Sequence, residues 1–146
     1  MTESEKALEP TLIEPPAAYE LLQKNPQAYL IDVRTTMEHL MVGNPVGSIH
    51  VPWLDEPDWT PNPRFAPQVR EVMLGGFLGA DEENPPSVLL ICRSGRRSHE
   101  AGRLLLSEGF RNVYNIAGGF EGPLNDDHHR SCVSGWRFHN LPWQQC

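Results

Sequence analysis

Long apolar runs are missing from this 146-residue sequence. The longest uncharged apolar stretch, residues 88–92, is far shorter than the ~20 residues that a membrane-crossing helix needs. No stretch near Met1 pairs a basic start with an apolar core, as a secretory signal does. The sequence therefore predicts a cytoplasmic location and no membrane partner.

Cysteine and positive charge are also scarce. The three cysteines, Cys92, Cys132 and Cys146, are odd in number and widely spaced, which does not fit the disulfide framework of a small secreted domain. Without a CxxC pair, neither a zinc ribbon nor a thioredoxin-type redox pair has support. The sequence has 12 Lys+Arg against 19 Asp+Glu, for a net charge of −7, which argues against nucleic acid as a partner. A binding site for an anion therefore has to depend on a local group of positively charged residues.

The length predicts one domain, because a chain of this size buries roughly two-thirds of its unfolded surface and needs no metal or disulfide to form a core. Residues 1–10 are charged and lack apolar periodicity, so we expect a disordered lead-in, with the domain over 11–146. Five prolines predict a surface loop over 52–67. We expect residues 122–146 to form an extended C-terminal tail.

Short apolar runs alternate with helical patterns along the domain. Helices are predicted over residues 15–25, 36–42, 65–78 and 98–108, and strands over 28–33, 48–51, 87–92 and 112–116. This alternation is typical of βαβ units with right-handed crossovers. The predicted fold is α/β, with helices on both faces of a parallel sheet.

The segment after the strongest predicted strand carries the chemistry. It consists of Cys92, Arg93, Ser94, Gly95, Arg96, Arg97 and Ser98. Ligands of parallel sheets bind beyond the carboxyl ends of the strands, and a thiol at a helix N-terminus is favoured as the nucleophilic thiolate. Gly95 lets the loop curl, the serines donate hydrogen bonds, and the arginines attract an anionic substrate. We expect Arg96 in particular to point outward toward that substrate.

A buried, inert thiol is the commoner fate of a cysteine, and it is the alternative for Cys92. The three arginines argue against it, because each positive charge in the first turn of a helix costs ~0.3 to 1 kcal/mol. An anion site explains their presence better.

Four segments together resemble a known family. The motifs LLICRSGRRS, YLIDVR, GNPVGSIHVPW and VYNIAGGFEG are similar to those of single-domain rhodaneses, which are sulfurtransferases, and the similarity extends over residues 11–143. It implies a five-stranded parallel sheet, Cys92 as the catalytic residue, and a six-residue loop from Cys92 to Arg97 that cradles the transferred sulfur. The family's usual histidine is absent from residues 43–48, which affects loop geometry rather than the nucleophile.

The implied reaction moves a sulfane sulfur from thiosulfate or a persulfide donor, a small anion, to a thiol, cyanide or protein acceptor. It passes through a persulfide on Cys92 and needs no metal or organic cofactor. Asp32 and Arg34 end a strand near the predicted site, where they either support catalysis or form an ion pair that holds the loops. Cys132 and Cys146 could receive sulfur, but their spacing does not require it.

Several alternatives remain open at this stage. A phosphatase or arsenate reductase needs arginine after cysteine and five further residues, whereas here Arg97 falls one residue early and position 98 is Ser. A non-catalytic binding module is the second alternative. A zinc site at His128, His129 and Cys132 has no partner pair at standard spacing. Large aromatic residues could line a substrate mouth, although core or cover is the commoner role; these are Trp53, Trp59, Trp136, Phe138 and Trp143.

Overall fold

The computed structural model describes residues 9–78 and 85–145. Most of the predicted lead-in, residues 1–8, and Cys146 lie outside the described residues. Among the residues that the structure describes, no helix combines the length and the continuous apolar surface that a membrane span requires.

The molecule is built on a five-stranded parallel sheet, as predicted. The strands are β1 (Thr11–Ile13), β2 (Ala28–Asp32), β4 (Ile49–His50), β5 (Ser87–Ile91) and β6 (Val113–Ile116). Their order in the sheet is β1-β6-β5-β2-β4, which places β5 in the centre. The short edge strand β1 was not predicted, because three residues are too few for an alternating pattern to stand out.

Central strand β5 is apolar on both faces, and all five of its residues are buried. Val88 and Leu90 belong to one hydrophobic cluster, and Leu89 and Ile91 belong to the other. Successive side chains of a strand point to opposite faces, so this continuous run fills a core on each side of the sheet. The site lies at the carboxyl end of β5.

Three helices cover the two faces. Helices α2 (Phe65–Leu78) and α3 (Arg96–Ser107) contribute Phe65, Val69, Met73, Ala101 and Leu105 to one cluster. Helix α1 (Pro15–Lys24) contributes Ala18 to the other cluster. Helix α3 begins at Arg96 rather than at the predicted Ser98, because Gly95, at φ +110°, supplies the left-handed residue that precedes it. The predicted helix after Thr36 is a π-helical turn (Glu38–Val42).

The proline-rich stretch is free of regular structure only up to residue 64, since α2 begins at Phe65. Trp53 is buried against Phe65, with ring centroids 5.4 Å apart. The C-terminal tail also joins the core: Trp136 is buried, and its indole N–H donates to the Pro142 carbonyl at 2.8 Å. The tail ends in β7 (Trp143–Gln144), which pairs antiparallel with β3 (Asn44–Pro45).

The segment after β6 packs directly against the loop that follows β5. The N–H of Phe120 donates to the Cys92 carbonyl at 2.8 Å, and the N–H of Glu121 donates to the Arg93 carbonyl at 3.0 Å. Gly119, at φ +62°, approaches so closely that a Cβ atom there would lie 2.4 Å from the Cys92 oxygen. Only glycine fits this position, and its close approach holds the start of the loop in place.

We predict that Gly119→Ala destabilises the protein by more than ~3 kcal/mol, because it adds a backbone clash to an unfavourable left-handed conformation. Gly47→Ala is the matched control. Gly47 is also left-handed, at φ +86°, but a Cβ there meets nothing within 4 Å. Its cost should be the conformational one alone, ~1 to 2 kcal/mol. Urea unfolding of both variants measures the difference, and equal losses would contradict the proposed close contact.

Candidate active site

Cys92 lies directly after β5, and its side chain is almost completely buried, with 1% of the residue exposed. Its Sγ accepts a hydrogen bond from the backbone N–H of Gly95 at 3.0 Å. The Ser98 hydroxyl lies 3.2 Å from the same sulfur. An N–H and a hydroxyl directed at one sulfur, next to the N-terminus of α3, stabilise negative charge on that sulfur.

Asn115 forms a second layer behind the sulfur, and its role was not predicted. Its Oδ1 lies 2.6 Å from the Ser98 hydroxyl, and its amide N–H donates to the Gly95 carbonyl at 3.0 Å. Ser98 has a single hydroxyl proton, which can be donated either to Cys92 Sγ or to Asn115 Oδ1. The sequence did contain one signal for the role of Asn115: an asparagine inside the predicted buried strand 112–116 needs hydrogen-bond partners.

The three arginines of the loop have different surroundings. Arg93 and Arg96 are exposed, whereas Arg97 is half-buried and donates to both carboxylate oxygens of Glu38, at 2.7 and 2.9 Å. Burial acts to raise the pKa of Glu38, but the hydrogen bonds and charge of Arg97 outweigh it, so this pKa is lowered. Arg97 is therefore committed to an ion pair that anchors the loop to the π-helical turn.

A cavity of about 620 Å³ borders the loop at both ends. Arg93 and Arg97 line it, but Arg96 is not among its lining residues. The other lining residues are Thr35, Met37, Glu38, Met41, Val42, Glu56, Trp59, Glu121 and Arg130. The contributions of Glu38 and Arg130 depend on contacts that are distant in sequence, so the local pattern around Cys92 contained no signal for them.

Asp32 and Arg34 form a fully buried ion pair below the loops. The Arg34 Nε and Nη2 atoms donate to the two carboxylate oxygens of Asp32 at 2.9 and 2.8 Å, and neither side chain is exposed. Asp32 also contacts His39 Nδ1 at 2.7 Å. Burial acts to raise the pKa of Asp32, but hydrogen bonds from His39 and Arg34, together with the charge of Arg34, lower it overall. Through His39, the pair links the end of β2 to the π-helical turn and so holds these two segments in position.

The remaining candidate groups form no hydrogen bond with Cys92 in the described part of the chain. His128, His129 and Cys132 are exposed, and within residues 9–78 and 85–145 no cluster of three His, Cys, Asp or Glu side chains could hold a metal ion. Of the predicted aromatic residues, Trp59 lines the cavity. Trp53 and Trp136 are buried in the core, while Phe138 and Trp143 are partly exposed.

Comparison with curated proteins finds relatives of similar length. The chain is 34% identical over 128 residues to RP600 of Rickettsia prowazekii, a protein described as uncharacterized, covering 87% of this chain and 91% of that protein. It is 30% identical over 112 residues to the thiosulfate sulfurtransferase GlpE of Glaesserella parasuis, covering 77% of this chain and 84% of GlpE.

Comparison with solved structures finds the same architecture. The crystal structure of Rv0390 from M. tuberculosis superposes with a TM-score of 0.74 at 34% identity, covering 93% of this chain and 98% of that one. A polysulfide-sulfur transferase homodimer from Wolinella succinogenes superposes with a TM-score of 0.57 at 25% identity, covering 97% and 84%. The family model for the rhodanese-like domain matches residues 14–125. The predicted family is confirmed, and the chain belongs to the rhodanese-like domain family.

Proposed function

We propose that the protein is a sulfurtransferase that carries sulfur as a persulfide on Cys92. The observation that carries this proposal is the hydrogen bonding of a buried sulfur by the Gly95 N–H and the Ser98 hydroxyl at the start of α3. Membership of the rhodanese-like family and the similarity to GlpE and the Wolinella transferase support it. A cytoplasmic location suits the reaction, because its thiols stay reduced there.

The first step is attack of the Cys92 thiolate on the outer sulfur of thiosulfate or of a persulfide donor. A bond forms between Sγ and that sulfur, the sulfur–sulfur bond of the donor breaks, and its electron pair leaves on sulfite or on a thiolate. The product is a negatively charged persulfide. The same N–H, hydroxyl and helix terminus that stabilise the thiolate stabilise this anion.

The second step returns the enzyme to its starting state. A thiolate, cyanide or protein cysteine attacks the outer sulfur of the persulfide, and the electron pair of the broken sulfur–sulfur bond returns to Sγ. All electrons are accounted for within the sulfur atoms and the acceptor, so the chain's own residues suffice and the proposed reaction requires no cofactor. Arg93 attracts the anionic donor, while Arg97 keeps the loop in shape through Glu38.

Cys92→Ser is expected to lower thiosulfate:cyanide sulfurtransferase activity at least ~100-fold, because serine cannot form the persulfide. Intact mass after incubation with thiosulfate should show the gain of one sulfur atom in the wild type and none in this variant. Cys132→Ser is the matched control, since Cys132 is an exposed free thiol, and it should retain both sulfur loading and activity. Sulfur transfer by Cys92→Ser at the wild-type rate would disprove the assignment of Cys92, whereas the absence of both sulfur loading and activity in the wild type would favour a non-catalytic binding module.

Arg93→Gln is expected to reduce kcat/KM for thiosulfate roughly threefold or more at low salt, because it removes an exposed charge that lines the cavity. Arg96→Gln should have a smaller effect, since Arg96 does not line it. Arg111→Gln controls for net charge, because Arg111 is also exposed but precedes the amino end of β6, whereas Cys92 follows the carboxyl end of β5. Raising the ionic strength should shrink the effect, because exposed charges act over only ~8 Å at 0.15 M. Equal effects for Arg93→Gln and Arg111→Gln would refute local steering.

Phosphatase activity on a small aryl phosphate should be at background level. The loop is one residue shorter than a phosphate clamp requires. Arg97, which would have to bind the phosphate, instead donates through Nη1 and Nη2 to the carboxylate of Glu38. Initial rates with an aryl phosphate and with thiosulfate on the same preparation test this. A faster rate on the phosphate would reverse the assignment.

A further inference from the structure

Asn115 is a buried polar residue on an otherwise apolar face of the sheet. Residues two apart in a strand share a face, so Asn115 lies on the same side of β6 as Val113. Its register partner in β5 is Leu90, and Leu90, Val113 and Cys92 belong to one hydrophobic cluster. Asn115 itself is only 4% exposed. A buried amide costs free energy unless it is hydrogen-bonded, so the contacts of this side chain have to explain its presence.

The partners of Asn115 do not need it to complete their own hydrogen bonds. Its Nδ2 donates to the Gly95 carbonyl at 3.0 Å, but this carbonyl also accepts the His99 N–H in the first helical turn at 3.3 Å. Its Oδ1 accepts the Ser98 hydroxyl at 2.6 Å, but the same hydroxyl lies 3.2 Å from Cys92 Sγ, a second acceptor. The needs of the neighbouring groups therefore do not account for Asn115.

The orientation of the Asn115 amide is fixed by its two contacts. The Gly95 carbonyl can only accept a hydrogen bond, so the amide nitrogen faces it and Oδ1 faces Ser98. Oδ1 has no other hydrogen-bond donor among the described residues. Asn115 is therefore always an acceptor toward Ser98, and it competes with the sulfur for the single hydroxyl proton.

This competition favours the neutral form of the sulfur. When Cys92 is a thiol, its S–H can donate to the Ser98 oxygen while the Ser98 hydroxyl donates to Asn115, so each group has a partner. When Cys92 is a thiolate, a hydroxyl turned to the sulfur leaves the buried amide oxygen unpaired. A hydroxyl turned to Asn115 instead presents its oxygen to the negative sulfur. Both arrangements are less favourable than a hydroxyl that binds the thiolate without a competing acceptor.

We infer that Asn115 is a positioning residue that sets, through the Ser98 hydroxyl, the pH at which Cys92 becomes a thiolate. By limiting how far the hydroxyl stabilises the thiolate, it keeps the sulfur a stronger base. A more basic thiolate is a stronger nucleophile in the first step and a slower leaving group in the second. The inference rests on the proposed sulfur transfer by Cys92, and it names the residue that regulates the balance between loading and discharge.

Charged groups on the elements around the loop also affect this pH. They lie in the loop, α3, the π-helical turn, the end of β2 and the segments after β6: Arg93, Arg96, Arg97, Glu38, His39, Asp32, Arg34, Glu121, Arg130 and Arg137. In the described part of the chain, Sγ is hydrogen-bonded by Gly95 and Ser98 and by none of these groups. Substitution of Asn115 or Ser98 leaves all of their charges in place, so a comparison among such variants isolates the hydroxyl proton.

The test is a pH titration of the Cys92 thiolate, followed by its ultraviolet absorbance, in full-length protein whose other two cysteines are changed to serine. The absorbance of the same protein carrying Cys92→Ser is subtracted. Asn115→Ala should lower the pH of half-ionisation by about one unit, the size expected when a hydrogen bond to a charged group is no longer contested. Asn115→Leu also removes the acceptor but fills the buried space, so it should give a similar shift even if the alanine variant does not fold.

The effect should disappear when the hydroxyl is absent. In a Ser98→Ala background, Asn115→Ala should leave the pH of half-ionisation unchanged, because Asn115 acts only through the Ser98 proton. A shift of equal size in both backgrounds would overturn the inference, since it would mean that Asn115 acts through its bond to Gly95. Asn44→Ala is the matched control and should cause no shift, because Asn44 is a buried asparagine of β3 whose amide donates to the His39 carbonyl at 2.9 Å.

Rates of sulfur loading provide a second readout that a merely structural role would not move in the same way. Well below the pH of half-ionisation, thiosulfate should load Asn115→Ala about threefold faster than the wild type, because more thiolate is present. Well above that pH, loading should be about threefold slower, because the less basic thiolate is a weaker nucleophile. A distorted loop would instead slow loading at every pH, and that result would count against the inference.

The outcomes separate this inference from the proposed function. If thiosulfate transfers no sulfur to Cys92 at any pH, the sulfurtransferase assignment fails, while the titration, which needs no sulfur donor, still decides the role of Asn115. If sulfur is loaded but both Asn115 variants titrate as the wild type does, only the inference about Asn115 is overturned.

Discussion

The approach of Gly119 to the Cys92 carbonyl is the constraint on which the site depends. Because a glycine in the left-handed region fits where a Cβ would clash, the N–H groups of Phe120 and Glu121 reach the carbonyl oxygens of Cys92 and Arg93. Those carbonyl oxygens are thereby hydrogen-bonded to the segment after β6. The sulfur instead meets the Gly95 N–H, a donor, so the local field favours a negative charge on it.

A buried ion pair extends this constraint to the neighbouring strand. Asp32 and Arg34 pair through two hydrogen bonds with neither side chain exposed. Arg34 also donates to the Gly43 carbonyl and lies 4.5 Å from the centre of the Phe120 ring, while its buried Nη1 has no hydrogen-bond partner among the described residues. One guanidinium thus touches the ends of β2, the π-helical turn and the segment after β6. Burying such a pair costs solvation energy, so its value is in fixing geometry rather than in adding stability.

The sequence was sufficient for four of the five strands of the sheet and for the position of the Cys92 loop between a strand and a helix, because both depend on local signals. A five-residue apolar run such as β5 has few alternatives to a buried strand, and the following glycine and arginines mark a strand-to-helix turn. It was insufficient for β1, for the β3–β7 pair and for the cavity lining. Asn44 and Gln144 are a hundred residues apart, and neither Arg130 nor Glu38 lies in a pattern that points to Cys92. Such contacts depend on packing between segments that are distant in sequence, so no short stretch of sequence predicts them.

The distribution of charge around Cys92 resolves an apparent conflict in the composition. The whole chain carries a net charge of −7, yet it is proposed to bind an anionic donor. Glu38 cancels the charge of Arg97 in the first turn of α3, and this ion pair holds the start of the helix to the π-helical turn without adding net charge. Arg93 and Arg130 then supply the local positive field, because exposed charges more than a Debye length away are screened. An acidic protein can therefore bind an anion where two or three arginines lack carboxylate partners. The sign of the total charge affects only the electrostatic attraction or repulsion of the anion at long range.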